Sequence, residues 1–239
     1  MDIADGLARL AAAYPDHLAA PEPNVLVWND GERMVYDDGR RKDFADLLAV
    51  PDLEDQMAMP YPAGDAFAPP PAPLADPGRV RHEPFFRKMY GGTPEVVRAR
   101  LATIRWLPHG VDIPLLVTTV NNVHERLAAV SAALEALPPR ERAFADNPAG
   151  TWCWRTIKDT GRLSMHSFGM AIDLNVAGSS YWKWDNPQAA PDDTVPYKGR
   201  MPGAIVRIFE AQGFIWGGKW HHYDSMHFEY RPELLPQGR

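Results

Sequence analysis

The chain has 239 residues, of which 45% are hydrophobic and 23% are charged, so it can form one sizeable core or a core domain with an appendage. Its formal net charge is -6 and its isoelectric point is about 5.7. A polyanion would therefore need a local basic patch, and the sequence interleaves acidic residues with its basic clusters. We expect a globular protein with no nucleic-acid partner.

The cysteine content and the hydropathy pattern exclude further classes. The single cysteine, Cys153, excludes an intrachain disulfide and a zinc site built from several cysteines of this chain. No run approaches the ~18 apolar residues that span a bilayer. The N-terminus also lacks a basic region followed by an apolar stretch. We expect neither a membrane span nor a signal peptide in this chain.

The N-terminal part begins with two short elements. Apolar residues at helical intervals predict a helix from residue 3 to about residue 13, which Pro15 ends. The pair Asp30-Gly31 lies between two β-prone runs and predicts a hairpin over residues 24–37.

A proline-rich segment follows and suggests an internal boundary. Prolines recur between Pro60 and Pro77 without a regular apolar period, which favours an extended strap lying across its own domain. A proline-rich recognition ligand is the alternative. We divide the chain into residues 1–78, with the helix, hairpin and strap, and residues 79–239 as the main domain.

The main domain alternates helices with short strands, without the regular spacing of a doubly wound sheet. Thr93 and Pro94 are typical of a helix start, and Asn122 with Glu125 resembles a capping box at the next helix. The fold class expected is α+β, with a small antiparallel sheet and packed helices. Predicted helices cover residues 94–104, 123–137 and 202–212, and predicted strands cover residues 115–120, 151–155, 171–176 and 226–230.

Two runs of the sequence carry residues suited to a metal. Strand alternation turns Asp173 away from the apolar layer, and it places His227 and Glu229 on one face of the last strand. Gly169 would let the loop bend and bring His166 beside Asp173. Two imidazoles and one carboxylate suit a catalytic Zn²⁺, one per chain, because the fourth tetrahedral position stays open for water.

Water attack also requires a base and a group that holds the substrate. Asp224, three residues before His227, is the preferred base, and Glu229 is the alternative base or a group that orients a metal ligand. Arg155 is the nearest upstream cation that can hold an anionic substrate, with Ser164 as a second polar contact. The glycine-rich segment 214–220 has the character of a turn rather than of a phosphate loop.

The aromatic residues of that glycine-rich segment have two interpretations. Trp216 and Trp220 either wall the cleft or belong to the buried core.

These residues fall in two motifs that resemble a known family. The pattern Ser-x-His-x-x-Gly-x-Ala-x-Asp occurs from Ser164 to Asp173, and Trp-Gly-Gly-x-Trp followed by Asp-x-x-His-Phe occurs from Trp216 to Phe228. Both are similar to motifs of the zinc D-alanyl-D-alanine carboxypeptidases and L-alanyl-D-glutamate endopeptidases, a VanY-like group that is related to the hedgehog signalling domain. The resemblance covers roughly residues 110–232.

The resemblance implies a function and a set of roles. The fold would be a hedgehog-like zinc peptidase domain, with His166, Asp173 and His227 as zinc ligands and Asp224 as the base. Arg155 would contact the substrate, which would be peptidoglycan or its stem peptides, in a periplasmic or extracellular location reached by a leader outside this chain. An aspartate at this position is typical of the endopeptidase-like branch. A D-Ala-D-Ala carboxypeptidase and a non-catalytic zinc-bearing binding module remain the alternatives.

Overall fold

The computed structural model describes residues 2–64, 67–158, 160–190 and 193–236. The helices are α1 (Ile3–Ala13), α2 (Phe44–Ala49), α3 (Leu53–Ala58), α4 (Glu83–Tyr90), α5 (Pro94–Arg98), α6 (Val123–Glu135), α7 (Pro139–Arg142), α8 (Trp182–Asp185) and α9 (Gly203–Ala211). The strands are β1 (Val25–Val27), β2 (Arg33–Val35), β3 (Leu101–Trp106), β4 (Ile113–Thr118), β5 (Pro148–Gly150), β6 (Ala171–Leu174), β7 (Phe214–Trp216) and β8 (His227–Tyr230).

The strands form three small antiparallel sheets. Two of them are the hairpins β1-β2 and β3-β4, and the third has the order β5-β6-β8-β7. In that four-stranded sheet Asp173 lies opposite His227, and Ala171 lies opposite Glu229. Mixed helices and small antiparallel sheets are consistent with the predicted α+β class. None of the described helices has both the length and the apolar composition needed to cross a membrane.

Most of the predicted elements are confirmed. Helices α1, α6 and α9 and the hairpin β1-β2 lie where the sequence pattern placed them, and β4, β6 and β8 begin and end within two residues of the predicted ranges. The strap between residues 60 and 77 contains no strand in its described part, and its residues 65 and 66 lie outside the described residues.

The predicted helix over residues 94–104 is wrong beyond Arg98. Thr93 does cap α5, accepting a hydrogen bond from the backbone N–H of Val96. Residues 101–106 instead form β3, which pairs with β4 along its whole length and buries Ile104 and Trp106. The apolar spacing fits both structures, and the hydrogen bonds that β4 supplies decide between them.

Two other local predictions are corrected. Asn122 adopts a left-handed conformation with a φ of 55° and makes no side-chain capping bond, so the capping box is absent. Residues 151–155 do not form a strand. Their amides are bonded elsewhere, because Cys153 N–H donates to the carbonyl of His166 and Arg155 N–H donates to the hydroxyl of Ser167.

The hydrophobic core extends across the proposed boundary at residue 78. Its buried cluster includes Leu7, Leu10 and Leu26 from the N-terminal part together with Phe86 and Phe228 from the main domain. The strap is also bonded to the main domain at several points. Burial of apolar surface therefore holds both parts of the chain together.

A chain of buried charges in the main domain is joined to the N-terminal part through the hydroxyl of Tyr14. The fully buried Glu229 accepts from Arg81 at 2.5 Å and from Arg231 at 3.0 Å. Arg231 also pairs with the buried Glu233 at 2.5 Å, and the hydroxyl of Tyr14 donates to Glu233 at 2.6 Å. Each charge has an opposite neighbour, which offsets the cost of removing it from water.

We expect Glu233→Ala to lower the free energy of unfolding by about 3–5 kcal/mol, because it leaves the guanidinium of Arg231 buried and only half compensated. Urea denaturation followed by circular dichroism measures the change. The matched control is Glu22→Ala, which breaks an exposed pair with Arg33 and should leave the unfolding curve nearly unchanged. Equal effects of the two substitutions would contradict the importance of the buried chain.

Candidate metal centre

Three predicted ligands meet at the centre of the four-stranded sheet. His166 lies on a 3₁₀ turn, Met165–Phe168, while Asp173 and His227 lie opposite each other on β6 and β8. The Oδ1 atom of Asp173 is 3.2 Å from Nε2 of His166 and 3.0 Å from Nδ1 of His227. All three ligand atoms lie within 4.8 Å of one another, as the sequence pattern predicted.

Gly169 makes the turn that carries His166 possible. Its φ is 68°, and a Cβ atom at this position would lie 2.7 Å from Cδ2 of Leu101 and 3.2 Å from the backbone nitrogen of Thr118. Its carbonyl accepts from the same Thr118 amide at 3.0 Å, which ties the turn to the end of β4. The turn therefore requires glycine for both its conformation and its space.

The orientation of the His166 ring is set by the backbone. Nδ1 of His166 lies 3.1 Å from the carbonyl of Thr151, a geometry in which Nδ1 carries the proton and donates. Nε2 then bears the lone pair and points at the cluster, where it is buried without a hydrogen-bond partner among the described residues. A buried, partnerless nitrogen facing Asp173 is what a metal ligand requires.

The His227 ring is fixed by two carboxylates. Its Nε2 atom lies 2.9 Å from Glu229, so its Nδ1 atom is turned toward Asp173. Burial alone would lower the pKa of His227, but the hydrogen bonds to Asp173 and Glu229 raise it to about 10 in the metal-free protein. His166 and His227 together hold the pKa of Asp173 well below its usual range, against the opposing effect of burial.

Glu229 is occupied on both oxygens. Oε2 lies beside Arg81 and His227, and Oε1 accepts from Arg231. Burial would raise the pKa of Glu229, but Arg81, His227 and Arg231 hold it well below its usual value. A carboxylate engaged in this way orients His227, and it has little capacity to take a further proton.

Asp224 differs from Glu229 because one of its oxygens is free. Its backbone is held by the carbonyl of Gly217 at 3.0 Å and by pairing with Tyr181. Its Oδ1 atom is buried and has no hydrogen-bond partner among the described residues. Burial raises the pKa of Asp224 to about 6, against the opposing effect of the positively charged His227. The carboxylate can therefore exchange a proton near neutral pH.

The donor set fits zinc, because two nitrogens and one carboxylate oxygen leave a tetrahedral position open. Other groups of carboxylates in the described chain lie around the ammonium of a lysine instead. The ammonium of Lys42 is 3.1 Å from Asp38, 2.9 Å from Asp52 and 2.5 Å from Asp55, and neutralises them. The further members of those groups are Asp37 and Glu54.

The two predicted substrate-binding residues differ in their surroundings, because one is exposed and the other is buried. Arg155 is exposed, and its backbone carbonyl accepts from the amide of Ser164 at 3.0 Å. Ser164 is buried, and its hydroxyl accepts from the backbone N–H of His166 at 3.4 Å, so it caps the 3₁₀ turn. The substrate-binding roles of both residues stay predictions.

The two tryptophans of the second motif are buried. Trp216 donates from Nε1 to the carbonyl of Ser225 at 2.9 Å and stacks on Phe228. Trp220 lies closer to the ligands, with its ring centroid 5.8 Å from that of His227. Of the two, Trp220 is the one whose ring lies near a candidate ligand, and its role as a wall of the cleft stays a prediction.

Sequence reasoning missed several residues that position the site. Arg81 and Arg231 compensate Glu229, Tyr181 holds the backbone of Asp224, and Thr151 orients His166 through its carbonyl. A backbone carbonyl leaves no signal in a sequence. The pairing of Arg81 with Glu229 joins residues 148 positions apart, which no local pattern indicates.

Comparison with known proteins gives one match. Residues 158–230 match the sequence model of a family described as D-alanyl-D-alanine carboxypeptidase. Searches among curated proteins and among solved structures gave no match. The matched segment contains the three candidate ligands and Asp224, whereas Arg155 lies just before it. The family resemblance inferred from the two motifs is therefore confirmed over residues 158–230.

Proposed function

We propose that this protein is a zinc metallopeptidase that hydrolyses peptide bonds in peptidoglycan stem peptides, as an endopeptidase at an L-Ala-D-Glu or similar D-amino-acid-containing bond. The observation that carries the proposal is the cluster of His166, Asp173 and His227, with Asp224 close enough to interact with all three and its Oδ1 atom buried without a hydrogen-bond partner among the described residues. The family match over residues 158–230 supports a peptidase of this kind. The hedgehog-like zinc-domain fold and the boundary at residue 78 belong to the same proposal.

The proposed mechanism assigns one role to each group. His166, Asp173 and His227 would hold a zinc ion, which when bound would supply a Lewis acid for the carbonyl and would lower the pKa of water. Asp224 takes the proton of the attacking water and returns it to the leaving amine. Burial raises the pKa of Asp224, which favours a carboxylate that accepts a proton, and its Oδ1 atom has no hydrogen-bond partner among the described residues.

The remaining groups orient the reactants. Glu229 fixes the ring of His227, so we assign it this positioning role in preference to that of the base. Arg155 and Ser164 hold the stem peptide, the arginine through a charged hydrogen bond to an anionic group. Trp220 excludes water from one side of the cleft. The proposed location is periplasmic or extracellular, where the substrate is.

Two alternatives remain. A carboxypeptidase that removes a terminal D-alanine uses the same centre and differs in how the cleft ends, and the description of the matching family names this activity. A non-catalytic zinc-bearing module would bind cell wall or protein without turnover. The free carboxylate oxygen of Asp224 favours an enzyme over the module, because binding alone does not require a buried base.

We expect Asp224→Ala to retain about one zinc per chain and to cleave stem peptides roughly 100- to 10,000-fold more slowly, since it removes the base and keeps the ligands. Elemental analysis measures the metal, and mass spectrometry of digested peptidoglycan measures the products. The control is Asp112→Ala, which removes an exposed carboxylate in the segment between β3 and β4.

The products identify the activity as well as the base. New fragments cut within the stem peptide indicate an endopeptidase, and release of D-alanine alone indicates a carboxypeptidase. Zinc in the wild-type protein without any fragment would favour the binding module. Absence of bound zinc after loading would contradict the proposed centre.

We also expect the affinity for zinc to rise with pH. In the metal-free protein the pKa of His227 is about 10, so at neutral pH a proton must leave the ring before it can bind the metal. The affinity should increase by roughly tenfold per pH unit between about pH 6.5 and about pH 8.5. Competition with a chelating indicator measures it, and a flat profile would contradict the assignment of His227 as a ligand.

A further inference from the structure

A large groove lies between the N-terminal part and the loop that precedes the first motif. Its volume is about 1320 Å³, and it opens to solvent. Arg81 connects the groove to the centre, because its guanidinium lines the groove and also binds Glu229, the partner of His227. Residues that line the groove include Phe44, Leu48, Pro51, Leu74, Arg81 and Arg162.

Among the described residues, Arg162 is the half-buried cation of this groove that lacks an ion pair, whereas Arg40, which also lacks one, is exposed. Arg81 is neutralised by Glu229, and the neighbouring Arg79 is neutralised by the buried Asp76 at 2.6 Å. In the described parts of the chain, the guanidinium of Arg162 has no carboxylate partner and donates one hydrogen bond, to the carbonyl of Arg79 at 3.2 Å. Most of its donors therefore remain available.

The surroundings of Arg162 make an anion favourable there. Its side chain is half-buried, and both burial and the positive charges of Arg81 and Arg79 lower its pKa to about 10. Among the described acidic residues, Glu83 acts on the pKa of Arg162 in the opposite direction, and it is bonded instead to Arg87 and to the amide of Leu163. A half-buried, uncompensated guanidinium gains more from a carboxylate than an exposed one does.

Arg162 also lies close in the chain to the proposed catalytic groups. It comes two residues before Ser164 and four before His166, and its carbonyl accepts from the amide of Ile157, on the segment that continues from Arg155. Arg162 therefore lies on the segment that leads into the turn carrying His166.

The charges of the groove favour a peptide over a polyanion. Asp38, Asp43 and Glu83 line the same groove, so its lining is not the continuous basic surface that nucleic acid or an extended polyphosphate requires. A single carboxylate matches the half-buried guanidinium of Arg162.

We propose that Arg162 binds a carboxylate of the substrate peptide, separate from the anionic group assigned to Arg155, and that the groove thereby selects acidic stem peptides. This inference rests on the proposed peptidase function. Arg79 positions the guanidinium through its carbonyl, and Arg81 adds positive charge to the same end of the groove. The forked guanidinium can bind both carboxylate oxygens at once.

The test uses two synthetic stem peptides that differ in one group, a free carboxylate in one and a carboxamide in the other. The zinc-loaded wild-type protein should cleave the carboxylate peptide about 10- to 100-fold more efficiently, through a lower KM, because a charged hydrogen bond is lost in the amide. Arg162→Gln should abolish this preference and change kcat/KM for the amide peptide little. Arg162→Lys should restore part of it.

The controls separate this inference from the proposed function. Arg140→Gln removes an exposed arginine of α7 that does not line the groove, and it should keep the preference. If no peptide is cleaved, calorimetric binding of the same two peptides to the wild type and to both Arg162 variants decides. The proposal would be overturned if the wild type cleaved or bound the two peptides equally well. It would also be overturned if Arg162→Gln lowered kcat/KM or affinity equally for both peptides.

Discussion

The arrangement of the metal centre depends on one buried carboxylate, that of Glu229. It has no exposure to solvent and lies between two guanidiniums and the ring of His227. An ionised carboxylate in this position would be very costly without Arg81 and Arg231. With them it stays charged, and a charged Glu229 turns Nδ1 of His227 toward Asp173. The ring orientation of His227, the candidate ligand on β8, is therefore fixed with the help of Arg81 and Arg231, which lie outside the motif that contains His227.

This dependence makes the N-terminal part relevant to the centre. Arg81 follows directly on the proline-rich strap, and Arg231 donates to the carbonyl of Gly78 at 3.0 Å. Gly78 has a φ of 101°, and a Cβ atom there would lie 2.4 Å from Cδ1 of Ile215, so its place against β7 requires glycine. The strap thus ends in a segment that contacts the sheet. The position of this segment is coupled to the ring orientation of His227 through Arg81.

The sequence was sufficient to predict the candidate ligands, because spacing and strand alternation are local: His166, Asp173 and His227 meet as expected. It failed where long-range pairing decides the structure. Leu101 and Ile104 continue a helical period from Val97, and only the pairing with β4 makes them a strand. The sequence already favoured Asp224 over Glu229 as the base, and the coordinates add a physical reason, because both oxygens of Glu229 already have partners.

The distribution of unpaired charge connects the two proposals. Glu229, Asp76 and Glu233 are buried carboxylates in the described chain, and each has a cationic partner. Asp224 keeps a buried oxygen without a partner, and Arg162 keeps a guanidinium without a carboxylate. A buried charge without a partner lowers the stability of the fold. Its presence is best explained by a function in which it binds a ligand or a proton. Asp224 would accept a proton from water, and Arg162 would bind a carboxylate of an acidic peptide. Both groups would therefore gain a partner during hydrolysis of the same peptide.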